Sequence, residues 1–157
     1  MRILGIDVGR RRIGLAISDR SQTLARPLAT LTLGDSRAPG EQHAADRVAA
    51  EVARLAAEDD GLGAIVVGMP VRLDGTANEE TPRVTAFIAA LKTRTSIPIA
   101  TEGERLSSRE AESRLAVTER DWRKRKVNLD AAAAAIILQD YLDRPRGSKV
   151  PRDEDRQ

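Results

Sequence analysis

The feature that most constrains this chain is the stretch RILGIDVGRRRIGLAISD, Arg2 to Asp19. Two short apolar runs flank a glycine and three arginines, and an aspartate sits inside the first run. Joined by a turn through Gly9, the runs Arg2–Val8 and Ile13–Asp19 predict an antiparallel hairpin. Aspartate is disfavoured in strands, and a carboxylate buried without partners is very costly, so Asp7 needs compensation if its strand is central. Two explanations stand side by side: a strand-end carboxylate accepting backbone hydrogen bonds from the turn, or a ligand to something positively charged.

The rest of the chain supplies the other elements. A third run, Thr23 to Leu33, predicts a neighbouring strand in which Pro27 marks a bend or an edge position. After a polar loop from Gly34 to Gly40, residues Ala45, Val48, Ala49, Val52 and Ala56 fall at helical spacing between about Glu41 and Asp59. The continuous apolar run Gly63 to Pro70 predicts a strand covered on both faces. A second helix begins near Thr81, with Thr81 as its cap and Pro82 in its first turn, and carries Val84, Phe87, Ile88 and Leu91 as one stripe. A fifth strand runs from Ile97 to Glu104. Capping-box spacing at Ser107 to Glu110 predicts a short helix to about Ala116, and a last helix runs from Asn128 or Leu129 to about Asp143. Three strands followed by alternating helix and strand predict an α/β fold resembling the ribonuclease H-like class: a mixed five-stranded sheet flanked by helices. Residues 1–143 read as one domain and 144–157 as a disordered polar tail.

Composition narrows the function. Only 2% of the residues are aromatic, so a nucleic acid would be gripped through phosphates rather than by base stacking. The absence of cysteine excludes disulfides and thiolate metal sites and fits a reducing cytosol. No signal peptide or membrane span is legible, and a cytoplasmic location is expected.

Three carboxylates stand where they could meet. Asp7 and Glu104 end strands one and five, and carboxyl ends of neighbouring strands line a common crevice. Asp130, read as part of the last helix's first turn, recurs with Ala134, Ile137 and Tyr141 on the stripe that should pack on the sheet. Carboxylates gathered in a cleft repel one another unless a cation neutralises them, and oxygen donors without His or Cys select Mg²⁺ or Mn²⁺ over zinc. Two such ions suit in-line phosphodiester hydrolysis. Each residue also has a plainer reading: Glu104 as a solvated charge or a partner of Arg105, Asp130 as a helix-start residue favoured by the macrodipole. His43, the only histidine, reads as surface, and Trp122 as a packing residue.

Four segments in this order, GIDVGRRRIGLAISD, VVGMPVRLDGT, GERLSSREAE and KRKVNLDAAAAAIILQDYL, together resemble the YqgF (RuvX-like) family of ribonuclease H-like proteins. Its members are described variously as Holliday junction resolvases and as nucleases maturing pre-16S ribosomal RNA. The resemblance implies a divalent-metal-dependent nuclease in which Asp7, Glu104 and Asp130 match the acidic metal-binding set. Gly103 stands where the family commonly carries an acidic residue, in a pattern like Asp-Glu-Arg. Glu102 shares a strand face with Glu104 and is either the replacement for that charge or a solvent-exposed residue.

Positive charge lies next to the proposed ligands. Arg10, Arg11 and Arg12 form the hairpin turn after Asp7, and Arg123, Lys124, Arg125 and Lys126 precede Asp130. Gly9 allows a left-handed backbone or close approach of a phosphate, besides serving the turn. Arg72 and Asn78, in the loop after strand four, are candidate substrate contacts; so are Arg105 and Ser107, although capping is the plainer role for Ser107. The partners implied are nucleic acid, RNA or branched DNA, and ribosomal precursor particles, with monomer and homodimer both open. Two rivals remain. An ATP-binding protein of the actin and sugar kinase superfamily needs two such halves, and 157 residues supply one. A non-catalytic nucleic-acid-binding or ribosome-assembly module would retain the fold with a weakened site.

Overall fold

The computed structural model describes residues 1–34, 40–71, 74, 76–104 and 122–145, without the side chains of 104 and 122–128. The predicted hairpin forms from β1 (Arg2–Val8) and β2 (Arg12–Ser18), and β3 (Ala25–Thr32) lies antiparallel outside β2. On the other side of β1, β4 (Leu62–Pro70) and β5 (Ile99–Glu104) run parallel to it, giving the order β3-β2-β1-β4-β5. The mixed five-stranded sheet is the predicted one, and β1 is central. Pro27 falls on the edge strand at a register shift opposite Leu15 and Ala16, where a missing N–H costs least.

Alternation along the strands sends two sets of side chains to opposite faces. Leu4, Ile6, Val8, Ile13, Leu15, Ile17, Ile65 and Val67 face α1 (Gly40–Ala56) and α2 (Thr81–Lys92), where Phe87, Val48 and Leu91 are fully buried. Ile3, Ala16, Ala64 and Val66 face α3 (Trp122–Leu142) through its Ala134, Ile137, Leu138, Tyr141 and Leu142. The α2 stripe is buried as read. The α1 stripe is rotated slightly: Ala44 and Leu55 join Ala45, Val48 and Val52, while Ala56 is exposed, because the larger Leu55 gains more by burial than an alanine does.

Small residues set the depth at which α3 sits. A Cβ on Gly5 would meet Leu138 Cβ at 2.7 Å, and one on Gly14 would lie 1.9 Å from the Asp130 carbonyl oxygen. Both glycines point to the α3 face, so the helix backbone rests directly on the sheet.

Three expectations are corrected. The last helix starts at Trp122, not at Asn128 or Leu129, so Asp130 belongs to its third turn and the macrodipole does not account for it. Thr81 is the first helical residue of α2 and not its cap. Its hydroxyl donates to Pro70 O at 2.6 Å, while Asn78 Oδ1 accepts from the Glu80 and Thr81 amides. Gly9 is not left-handed: positive φ occurs among the described residues only at Gln22, Gly34 and Gly61. Gly9 is required because its amide donates to Arg12 O at 2.9 Å and a Cβ there would approach the same oxygen to 2.5 Å. The predicted helix from Ser107 and the tail beyond 145 lie outside the described residues.

Candidate active site

The carboxyl ends of β1, β4 and β5 come together on one side of the sheet, and Asp7 is the last but one residue of β1. It pairs with Gly14 of β2, and Gly14 is the residue whose missing side chain admits the backbone of Asp130. Two predicted ligands, 123 positions apart in sequence, are thereby drawn to one glycine. Asp7 is half-buried. Asp130 is too, and its Oδ2 accepts from Arg12 Nε at 2.8 Å.

Glu102 and Glu104 belong to the far side of the crevice. The β1–β4 register pairs Ile6 with Val67, so the next row sets Asp7 beside Gly68, which pairs with Glu102. Two strand spacings put these backbones about 10 Å apart. Glu104 ends β5 opposite Pro70, and its side chain lies outside the described residues. Glu102 is not a solvated charge: it is 7% exposed. Its Oε1 accepts from Arg144 Nη2 at 2.8 Å beyond the end of α3, while its buried Oε2 has no hydrogen-bond partner among the described residues. Burial pushes its carboxyl above the ordinary range, the Arg144 guanidinium opposes that shift, and Asp140 adds to it.

Gly103 points the other way. It pairs with Met69, which packs on the α1/α2 face, and a Cβ on it would meet Val71 Cγ2 at an ordinary 3.7 Å. An acidic residue at 103 would not project toward Asp7 and Asp130.

The arginine turn is largely committed. Arg10 donates through Nε and Nη2 to Glu80 Oε1, and this exposed pair lowers the Glu80 carboxyl and raises the guanidinium. Arg83 Nε holds the other Glu80 oxygen at 2.7 Å, and its Nη2 donates to Val8 O at 3.1 Å, next to Asp7. Arg12 holds Asp130. Arg11 is exposed and makes no ion pair among the described residues. Arg123 to Lys126 occupy the first turns of α3, whose first turn carries no acidic residue, so their charge adds to the positive helix end. Asn78 Oδ1 is taken up by the Glu80 and Thr81 amides ahead of α2, and Asp74 Oδ1 accepts from the Thr76 amide and hydroxyl. Arg72, Arg105 and Ser107 lie outside the described residues. His43 is only partly exposed and bonds through Nε2 to Leu33 O.

Glu80, Arg83 and Arg144 were not singled out from the sequence. The i,i+3 spacing of Glu80 and Arg83 is a legible signal; the reach of Arg144 to a residue 42 positions away is not. A small pocket on the α1/α2 side is lined by Val8, Arg10, Glu41, Ala44, Arg83 and Phe87 and does not include Asp7, Glu102 or Asp130.

Among the described residues no three carboxylates or histidines stand close enough to hold a metal ion. A partial set is present: Asp7 and the backbone of Asp130 lie at one glycine, and oxygen donors without His or Cys fit a hard divalent cation.

Residues 1–144 match the family RuvX, described as Holliday junction resolvase. A protein of Chloroflexus aggregans named "Putative pre-16S rRNA nuclease" is 40% identical over 144 residues, 92% of this chain and 94% of its own. One of Anaeromyxobacter dehalogenans with the same name is 41% identical over 144 residues, 92% of this chain and 98% of its own. Among solved structures, Thermus thermophilus RuvC overlaps 90% of this chain and 94% of its own with a TM-score of 0.50 at 18% identity, a likeness of fold alone. No helix among the described residues is long and apolar enough to cross a membrane.

Proposed function

We propose that this chain, which belongs to the RuvX family, is a divalent-metal-dependent nuclease that hydrolyses phosphodiester bonds of structured nucleic acid. The observation that supports the reading is that Gly14 is the register partner of Asp7 and also admits the backbone of Asp130, at the carboxyl end of the central strand and beside the arginine turn. Asp7, Asp130 and Glu104 would hold Mg²⁺ or Mn²⁺, two ions in the fullest form of the site. Ions bound there supply Lewis acidity to the scissile phosphate and lower the pKa of the attacking water.

The chain's own residues do the rest. Gly14 lets the backbone of Asp130 seat directly on β2, so the position of that residue is set before substrate arrives. Arg11 and the basic first turns of α3 attract the phosphate backbone without reading sequence, in keeping with the scarcity of aromatic residues. Maturation of pre-16S ribosomal RNA is the substrate class supported by the curated relatives' names, in a cytoplasmic enzyme acting on ribosomal precursors. Junction resolution is the second reading, favoured by the family's description, and cutting two symmetric strands would require a dimer.

The test is cleavage of a labelled panel: single-stranded RNA, a ribosomal RNA precursor end, duplex DNA and a four-way DNA junction, each with Mg²⁺, with Mn²⁺ and with chelator. Metal-dependent cutting of the precursor end is the expected result. Preference for the junction would move the assignment to resolution. Binding without cutting under every condition would leave a non-catalytic module in its place.

A further inference from the structure

We propose that Arg12 couples nucleic-acid binding to metal binding, by holding either Asp130 or a substrate phosphate but not both. The inference rests on the metallonuclease reading above and adds to it an order of events.

Arg12 leaves β2 on the same face as Gly14 and donates from Nε to Asp130 Oδ2 at 2.8 Å. The two side chains are 32% and 23% exposed, so the pair is reached by solvent and is neither a buried structural bridge nor a free surface one. A divalent cation on Asp130 would stand within about 5 Å of the guanidinium, where like charges repel strongly. Arg12 as placed therefore opposes metal at Asp130. Its neighbours do not offer the same trade: Arg10 is held by Glu80, distant from Asp130 in the chain, and Arg11 has no carboxylate among the described residues. A phosphate in the crevice presents Arg12 with an alternative anion, matched to the guanidinium fork. Moving to it leaves the Asp130 carboxylate free for the cation. By linkage the effect is reciprocal: metal at Asp130 releases Arg12 toward phosphate.

The test has two arms, neither of which reads activity. In the first, Mn²⁺ affinity of the protein alone is measured for the wild type and Arg12→Gln by titration of free Mn²⁺. The variant is expected to bind roughly fivefold tighter. In the second, an RNA duplex is bound in chelator by the wild type, Asp130→Asn, Arg12→Gln and the double variant. Asp130→Asn is expected to bind about threefold tighter than the wild type, a gain that disappears when Arg12 is also replaced, as a double-mutant cycle isolates. Equal or weaker Mn²⁺ binding by Arg12→Gln overturns the coupling while leaving the metal site standing. The same gain from Asp130→Asn in both backgrounds overturns it too. Saturable Mn²⁺ binding by neither protein overturns the metal reading and the coupling together. If Arg12→Gln does not fold, Asp130→Asn against the wild type still decides: no gain in RNA affinity contradicts the proposal.

Discussion

The carbonyl oxygen of Asp130 lies where the side chain of Gly14 would begin, 1.9 Å from the position of its absent Cβ. Since Gly14 is also the register partner of Asp7, a single hydrogen atom in place of a methyl group decides whether the α3 backbone at Asp130 can seat beside the Asp7 row.

Gly14→Ala is therefore expected to destabilise the protein by about 3 kcal/mol or more, because the obstacle is helix backbone and not the movable end of a side chain. Gly103→Ala, whose added methyl meets Val71 at 3.7 Å, is the matched control and should cost far less. Denaturant midpoints of the two variants check this; equal losses would mean that α3 does not seat on β2 as described.

The unusual glycine of β5 leads to a second expectation. Because position 103 pairs with Met69 and turns toward the α1/α2 face, Gly103→Asp should change Mn²⁺ affinity by less than about threefold, the scale of a distant screened charge. A gain of tenfold or more would show that position 103 reaches the metal-binding crevice.

Glu102 makes stability depend on pH. Its folded carboxyl is raised by burial, so its contribution is fully present below the ordinary glutamate range and is lost as pH rises through the raised folded value. Glu102→Gln should melt higher than the wild type at pH 8, by roughly 2–4 °C for each kcal/mol gained in a chain of this size. The difference should shrink as pH falls toward the ordinary carboxylate range, because the wild-type carboxyl then becomes neutral as well. A variant melting lower than the wild type at pH 8 would show that the Arg144 ion pair outweighs the cost of burying the charge.

What could be read from the sequence follows from where the signal is local. Alternation and turn glycines are local, and they led to β1, β2 and β4; the stripe of Asp130, Ala134, Ile137 and Tyr141 is local too, and it turned Asp130 to the sheet as read. The start of α3 was missed because its first six residues, Trp122 to Val127, are mostly basic and show no apolar stripe, which becomes visible only farther on. Arg12 read as a phosphate contact because its neighbours in sequence are arginines, whereas its partner Asp130 is 118 residues away. Glu102 shows the same limit: spacing put it on the strand face of Glu104, but only the packing of α3 shows that it is buried and bound by Arg144.

The most direct test of the central claim is the rate of Mn²⁺- or Mg²⁺-dependent cleavage of the preferred nucleic acid by the wild type and by Asp7→Asn, with folding and substrate affinity measured in parallel. Loss of a charged metal-binding oxygen should lower the rate by roughly 10²–10³-fold while the melting curve and RNA binding in chelator stay close to wild type. Cleavage by Asp7→Asn at the wild-type rate, in protein free of contaminating nuclease, would contradict the placement of the active site at the end of β1.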